Sequence, residues 1–320
     1  MADNIFITGA CGMMGSHMID YYDNLGIRVH GTFYKPTTNL QEYSHKADLK
    51  ECDVRYYAPL ARMLADLKPT TIYHLAAQSY PTVSLERAQE TMETNITGTI
   101  NLFEAVKELR RNDPTYDPMV VVACSSAEYG SSLTPENVPI REDVMLLPVH
   151  SYGISKVAQD LLGYQYFLND HIRTIRARIF NTTGPRKVND VASDFTKRAV
   201  LIEKGKETKL RVGNTATRRA ITDVRDLIHA LILLAEKGRE GEVYNISGNK
   251  VYLVADIIGI IEKIIGRKFT VEVDEALMRP TDEPIIYGDS SRLRKDTGWE
   301  QSFGIEKTLA DMIAYWRLVL

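Results

Sequence analysis

Asn4-Ile5-Phe6-Ile7-Thr8-Gly9-Ala10-Cys11-Gly12-Met13-Met14-Gly15 runs a short apolar segment straight into a Gly-x-x-Gly-x-x-Gly turn. Residues 4–8 read as a strand, and the apolar periodicity after the turn predicts a helix over about 14–25. Glycines at such a junction permit a tight turn and close backbone approach. The helix start leaves N–H groups without intrahelical partners, and these suit a pyrophosphate. A glycine triplet alone is more often a plain loop. Its place at the first strand-to-helix junction makes Gly9, Gly12, Met13, Met14 and Gly15 candidate dinucleotide-binding residues.

Working outward, strands and helices alternate. Strands are expected at 28–32, 71–75, 120–124 and 174–180, and helices at 58–67, 88–110 and 152–168. The runs at 71–75 and 120–124 are short and largely apolar, as strands covered on both faces must be. The pattern is that of an α/β protein with a doubly wound parallel sheet. After Asn181 it loosens into turn-rich segments near 182–190 and 275–287, while a helix at 224–237 and a strand at 243–247 return to the first unit. The expected organisation is a dinucleotide-binding domain over 1–180 with returning segments at about 220–248. A smaller interlaced α/β substrate domain occupies most of 181–320.

The net charge of −3 and a pI near 6.2 argue against nucleic acid or a membrane surface as partner. No apolar run approaches the roughly 18 residues that would span a bilayer. The start of the chain shows no signal-peptide pattern, so a cytoplasmic location is expected. The 3 cysteines, Cys11, Cys52 and Cys124, match no metal-ligand spacing, which leaves reduced thiols and no metal site.

A second piece of chemistry lies at Ser151-Tyr152-Gly-Ile-Ser-Lys156. Four residues apart on a helix, Tyr152 and Lys156 share a face, and an ammonium beside a phenol favours the phenolate. That is an acid/base suited to hydride transfer at a carbinol or carbonyl. Met119-Val-Val-Val-Ala-Cys124 leads into Ser125 as a strand end that completes the set. Nicotinamide cofactor choice is read after the second strand, where Gly31-Thr-Phe-Tyr34-Lys35 offers no acid for an adenosine 2′-hydroxyl. Tyr34 and Lys35 suit a 2′-phosphate, so NADP(H) is favoured over NAD(H). Asp53, followed by Val54, would hold the adenine amine or cap the next helix. In His74-Leu75-Ala76-Ala77-Gln78-Ser79, small residues let a cofactor lie near the backbone. His74 and His150 read as structural.

Together these stretches resemble the extended short-chain dehydrogenase/reductases that modify nucleotide-activated sugars, a Rossmann-type family. The likeness spans nearly the whole chain, and includes Thr94-Asn95-Ile-Thr-Gly-Thr99 and Ser125-Ser-Ala-Glu-Tyr-Gly130. Within the family it looks closest to the branch of GDP-mannose 4,6-dehydratases and GDP-4-keto-6-deoxymannose reductases. Four stretches carry that likeness: Arg178-Ile-Phe-Asn-Thr-Thr-Gly-Pro185, Thr222-Asp-Val-Arg-Asp226, Met278-Arg-Pro-Thr-Asp-Glu-Pro284 and Thr297-Gly-Trp299.

The resemblance implies a catalytic triad of Ser125, Tyr152 and Lys156. Ser125 would hydrogen-bond the sugar C4 oxygen, and Lys156 would hold the nicotinamide ribose and lower the pKa of Tyr152. Gln78, Ser79, Ser126, Asn181, Arg219 and Arg279 would bind a nucleotide sugar, with a GDP-sugar favoured. It also implies a homodimer through helices at 94–110 and 152–169; apolar positions on them such as Leu102, Val106, Leu161 and Leu162 fit such a surface or, equally, the core.

Two departures discriminate among activities. Arg219-Ala220-Ile221 replaces the Arg-Asp-aromatic run frequent before Thr-Asp-Val. Ala127 stands where dehydratases carry a glutamate, and dehydration across C5 and C6 needs an acid/base there. The cysteine of a 3,5-epimerase is absent as well. Glu128 is adjacent, but neighbours at a regular strand end point to opposite faces. Reduction of the C4 keto group of a GDP-4-keto-6-deoxyhexose is therefore the favoured reading. GDP-mannose 4,6-dehydration, 4-epimerisation and a non-catalytic NADP(H)-binding sensor are the alternatives.

Overall fold

The computed structural model describes residues 4–278 and 282–320. Its centre is a parallel sheet of seven strands: Ile5–Thr8, Val29–Phe33, Ala47–Glu51, Thr71–His74, Met119–Ser125, Thr174–Ile179 and Val243–Ile246. Numbered in that sequence order, they lie side by side as 7-6-5-4-1-2-3. The chain leaves Ile5–Thr8 toward one edge and later returns to pair Thr71–His74 on its other side. That reversal opens a crevice beyond the carboxyl ends of the strands, where α/β sheets bind ligands. Met119–Ser125 is buried at every position, in keeping with its apolar sequence. The edge strand Ala47–Glu51 left no mark in the sequence because Ala-Asp-Leu-Lys-Glu faces solvent along much of its length.

The helix expected over 88–110 is broken in three. Ala88–Met92 leads into a π-helical turn, Glu93–Thr97, and then into Gly98–Asn112. Inside that turn, Asn95 accepts from the Gln78 N–H at 2.8 Å and donates to the Gln78 carbonyl at 3.1 Å and to Ser155 Oγ at 2.8 Å. The wider turn thus ties a strand-end loop to the helix Ser151–Asp170, a use in which π-bulges recur. Gly98 is required nearby, since a Cβ there would sit 2.6 Å from Val54 Cγ2.

Apolar clusters cover both faces of the sheet. Leu102 and Val106 are wholly buried in one of them, and Leu162 packs against it, so these positions serve the core and not a dimer surface; Leu161 alone of the four is exposed. A separate cluster joins the helices Val191–Glu203, Val254–Ile265 and Ile305–Val319. Beside it lies a small sheet of Val251–Leu253, Arg218–Ala220 and Ile285–Ile286. The helix Val224–Lys237 packs back on the large sheet.

Candidate active site

A cleft of about 580 Å³ lies over the carboxyl ends of the sheet. The glycine turn forms its floor. Gly9 has φ +68°, and a Cβ there would lie 2.8 Å from the backbone of Ala76; at Gly15 a Cβ would lie 2.6 Å from the backbone of Ala10. Both positions therefore demand glycine. The helix Met13–Asn24 starts at Gly12 without a side-chain cap, so its first N–H groups meet the cleft. The backbone cradle suits a pyrophosphate.

Of the residues named from sequence, Gly9, Gly12, Met13, Met14, Gly15, Tyr34, Lys35, Asp53, Val54, Leu75, Ala76, Ala77, Gln78 and Ser79 line the cleft, as do Ser125, Ser126, Tyr152, Lys156 and Asn181. Arg219 is not in its wall. It is buried, and donates to Asp282 Oδ1 at 2.7 Å and to the Glu283 carbonyl at 2.9 Å. Arg279 lies outside the described residues.

At the adenosine end Lys35 sits 5.1 Å from the Tyr34 ring centroid, with Arg55 5.7 Å from the same ring. Asp53 accepts from Arg55 Nε at 2.9 Å, from Arg55 Nη2 at 2.6 Å and from the Arg55 backbone at 3.0 Å. Although burial opposes it, this pairing holds the Asp53 carboxyl below its usual range. Asp53 thus has Arg55 as its partner. The next helix, Tyr57–Leu67, starts at Tyr56, so Asp53 does not cap it.

At the nicotinamide end, Tyr152 and Lys156 occupy the first turns of Ser151–Asp170 and face the end of Met119–Ser125. Lys156 Nζ donates to the Ala123 carbonyl at 2.7 Å and lies 5.8 Å from the Tyr152 ring centroid. Burial pushes the lysine down to about 8. Tyr152 moves the other way, up to about 12, because burial outweighs its hydrogen bond with Ser125, and Glu128 and Cys124 push it further up. The expected depression of the phenol by Lys156 is not realised here. A protonated phenol at neutral pH is a proton donor.

Ser125 ends the strand and begins a 3₁₀ turn, Ser126–Glu128. Ser125 Oγ accepts from the Ala127 N–H at 3.2 Å, and Glu128 Oε1 accepts from the Ser125 N–H at 2.8 Å. The two neighbours in question part here. Ala127 lines the cleft. Glu128 is wholly buried, with Oε2 3.1 Å from Arg178 Nε. Cys124, Glu128 and Asp160 bring possible ligand atoms within 4.8 Å of one another, and the cation against both carboxyls is the Arg178 guanidinium.

His74 is buried as a packed strand residue. It is hydrogen-bonded to Thr8 Oγ1 at 2.8 Å and Thr99 Oγ1 at 2.9 Å. His150, read as structural from the sequence, caps the catalytic helix, its Nδ1 accepting from the Gly153 N–H at 3.0 Å. Sequence reasoning missed several lining residues. Arg55, Tyr80, Arg186, Lys187 and Glu283 also line the cleft. A basic pair directly after Gly184-Pro185 was the available signal for Arg186 and Lys187. Glu283 lay in the stretch 278–284 that carries the family likeness, and Tyr80 had no signal.

A family model described as GDP-mannose 4,6 dehydratase matches residues 6–312. Among curated relatives, GDP-6-deoxy-D-mannose reductase of Pseudomonas aeruginosa is 26% identical over 318 residues, covering 99% of this chain and 98% of that protein. GDP-mannose 4,6 dehydratase 1 of Arabidopsis thaliana is 27% identical over 322 residues, covering 96% of this chain and 88% of that protein. The structure of RMD from Pseudomonas aeruginosa complexed with NADPH superposes with a TM-score of 0.82 at 24% identity, covering 100% of each chain. That likeness establishes the shared Rossmann-type fold.

Proposed function

The chain belongs to the GDP-mannose 4,6 dehydratase family, and from that premise we propose that it reduces the C4 keto group of a GDP-4-keto-6-deoxyhexose with NADPH. The family is NAD(P)-dependent and acts on nucleotide sugars. The observation that carries the reductase reading is the turn Ser126–Glu128. Ala127 faces the cleft, and the neighbouring carboxyl is turned into the core against Arg178. Dehydration requires a base for the C5 proton and an acid for the departing hydroxyl. Alanine supplies neither, and Glu128 is committed elsewhere.

Reduction needs only the remaining groups. The nicotinamide, when bound, supplies a hydride to C4. Ser125 Oγ donates a hydrogen bond to the C4 oxygen and holds it beside Tyr152. Tyr152, kept protonated by its burial, gives its proton to that oxygen as negative charge develops. Lys156, fixed by the Ala123 carbonyl, presents its ammonium to the cofactor ribose. Asn181 and Lys187, both in the cleft wall, suit the substrate diphosphate. Arg219 would reach it only on leaving Asp282, so its ground-state role is to anchor the segment that carries Glu283.

NADP(H) is favoured by Lys35 and the absence of an acid after the second strand, with NAD(H) the other nicotinamide cofactor the cradle accepts. The structurally similar Pseudomonas aeruginosa protein is complexed with NADPH. A homodimer is supported by an exposed apolar stripe on the catalytic helix: Ile154, Leu161 and Leu168 are 48%, 53% and 55% exposed. Among the described residues no helix is long and apolar enough to cross a membrane. All 3 cysteines are free and buried, which supports a reducing, cytoplasmic setting.

The test is to incubate the purified protein with GDP-mannose alone, and separately with GDP-4-keto-6-deoxymannose plus NADPH, following nicotinamide absorbance and product mass. NADPH consumption with addition of hydride and proton to the keto sugar is expected. Loss of water from GDP-mannose with no net NADPH change would overturn the reading in favour of a dehydratase.

A further inference from the structure

The carboxyl that the proposed chemistry leaves unused is the one that ties the two catalytic elements together. We propose that Glu128 is a positioning residue, which from the buried side of the sheet fixes Ser125 relative to the helix bearing Tyr152 and Lys156. Three links make the connection. Glu128 Oε1 accepts the Ser125 N–H at 2.8 Å, so the carboxyl grips the strand end at the residue whose Oγ enters the cleft. Glu128 Oε2 lies 3.1 Å from Arg178 Nε, on the adjacent strand. The same Arg178 Nε donates to Asp160 Oδ2 at 2.7 Å. Asp160 is one helical turn beyond Lys156, on Ser151–Asp170.

The path from Ser125 to the catalytic helix therefore passes through two carboxyls and one guanidinium. Arg178 is itself held by the Tyr129 hydroxyl at 2.9 Å and the Glu142 carbonyl at 3.0 Å. Arg176 makes a further ion pair with Asp160. Glu128, Asp160 and Arg178 are all buried, so the hydrogen bonds from Ser125 to Glu128 and from Arg178 to Asp160, and the close contact of Glu128 Oε2 with Arg178, are costly to lose. A small apolar side chain would fill the space behind Ser125 with less desolvation. What it would not do is reach both the Ser125 N–H and Arg178. The groups that face Glu128 are Cys124, Tyr152, Lys156, Asp160 and Arg178. Burial and Asp160 push the Glu128 carboxyl well up, a state that glutamine imitates.

The inference rests on the reading that Ser125 and Tyr152 do the chemistry, and a double-substitution cycle on the full chain tests it. Glu128→Leu removes both links and is expected to lower kcat by about 10- to 100-fold, the scale of a misplacement near 1 Å. KM for the keto sugar and NADPH affinity, followed by nicotinamide fluorescence, should stay within about threefold. Glu128→Gln keeps the acceptor for Ser125 and should restore most of kcat. In a Ser125→Ala background Glu128→Leu should cost little more, because it acts through Ser125. Full additivity there, or an unchanged kcat with only a lowered Tm, would overturn the proposal. Should the leucine variant not fold, the glutamine variant decides: kcat retained with an unaltered pH profile supports positioning by a neutral acceptor, and kcat lost together with one limb of the pH profile makes the carboxyl itself an acid/base and overturns it. Failure of the reductase reading shows differently, as no NADPH consumption by the unsubstituted protein. The cycle is then run on the dehydration or epimerisation that product analysis detects.

Discussion

The cofactor half of the cleft and its substrate half are built from different material. On the cofactor side the walls are main chain: the Gly9 turn pressed against Ala76, Gly15 against Ala10, and the strand ends at Thr8, His74 and Ser125. On the side proposed for the substrate they are side chains on irregular segments, Asn181, Lys187 and Glu283. A wall of backbone tolerates little change and leaves a local signature in the sequence. A wall of loop side chains depends on how distant segments are brought together. The Ser125–Tyr152–Lys156 group stands at the seam between the two.

The seam gives the largest expected effect. Tyr152→Phe removes the proton donor and should lower kcat by about 10²- to 10⁴-fold. Both halves should keep their affinities, with NADPH titrated by fluorescence and the keto sugar by KM. Loss of NADPH binding in that variant would erase the division, by making the tyrosine part of the cofactor wall. Next in size is the floor. Gly9 and Gly26 share a left-handed backbone, at φ +68° and +73°, but only Gly9 would bring a Cβ against neighbouring atoms. Gly26→Ala should cost about 1 kcal/mol of folding stability, from backbone strain alone. Gly9→Ala should cost roughly 3 kcal/mol once overpacking is added, measured by denaturant unfolding. Equal losses would mean that the close approach to Ala76 is soft.

This contrast also explains what could be read beforehand. Glycine spacing, buried apolar strands and the Tyr152–Lys156 pair are short-range patterns, so the doubly wound sheet and the cofactor floor were legible. The strand Ala47–Glu51 was not, because an edge strand facing water has little apolar alternation to show. Nor was the π-turn Glu93–Thr97, whose cause is Asn95 bonding to Gln78 and Ser155, far away in sequence. The direction of the Tyr152 shift was misjudged, since spacing reveals the nearby ammonium and not the depth of burial. The orientation of Glu128 came close to its expected reading, as alternation at the strand end pointed it away from Ala127. Its hydrogen bond from Ser125 and its close contact with Arg178 became visible only with the strands assembled.

Beneath the cofactor floor, His74 offers a test by pH. Thr99 Oγ1 donates to the Asn95 carbonyl at 2.6 Å, so His74 Nε2 must donate to Thr99, leaving Nδ1 as acceptor from Thr8. The ring is thus neutral, and burial pushes its pKa down to about 3 from an ordinary 6.5. A group whose folded pKa lies below its unfolded value takes up protons more readily on unfolding, so stability falls as the pH drops below 6.5. Between pH 6.5 and 5 the loss should reach about 2 kcal/mol, and His74→Gln should remove it. An unchanged acid slope in that variant would show that the floor is held by other groups.

The smallest effect concerns the adenosine end, where the cofactor half relies on side chains. Lys35 pairs with Glu90 at 3.7 Å, and its side chain is 68% exposed. Such a pair is worth little, so the ammonium can turn to a 2′-phosphate at small cost. Arg55 is less available, because leaving Asp53 breaks a bidentate pair. Lys35→Ala should therefore weaken NADPH about tenfold and leave NADH nearly unchanged, since one charge-assisted contact is worth on the order of 1.5 kcal/mol. Arg55→Ala should lower both affinities alike, by freeing the Asp53 carboxylate beside the adenosine. Equal weakening of NADPH and NADH by Lys35→Ala would place phosphate recognition in the backbone wall, and the adenosine end would then follow the same rule as the floor.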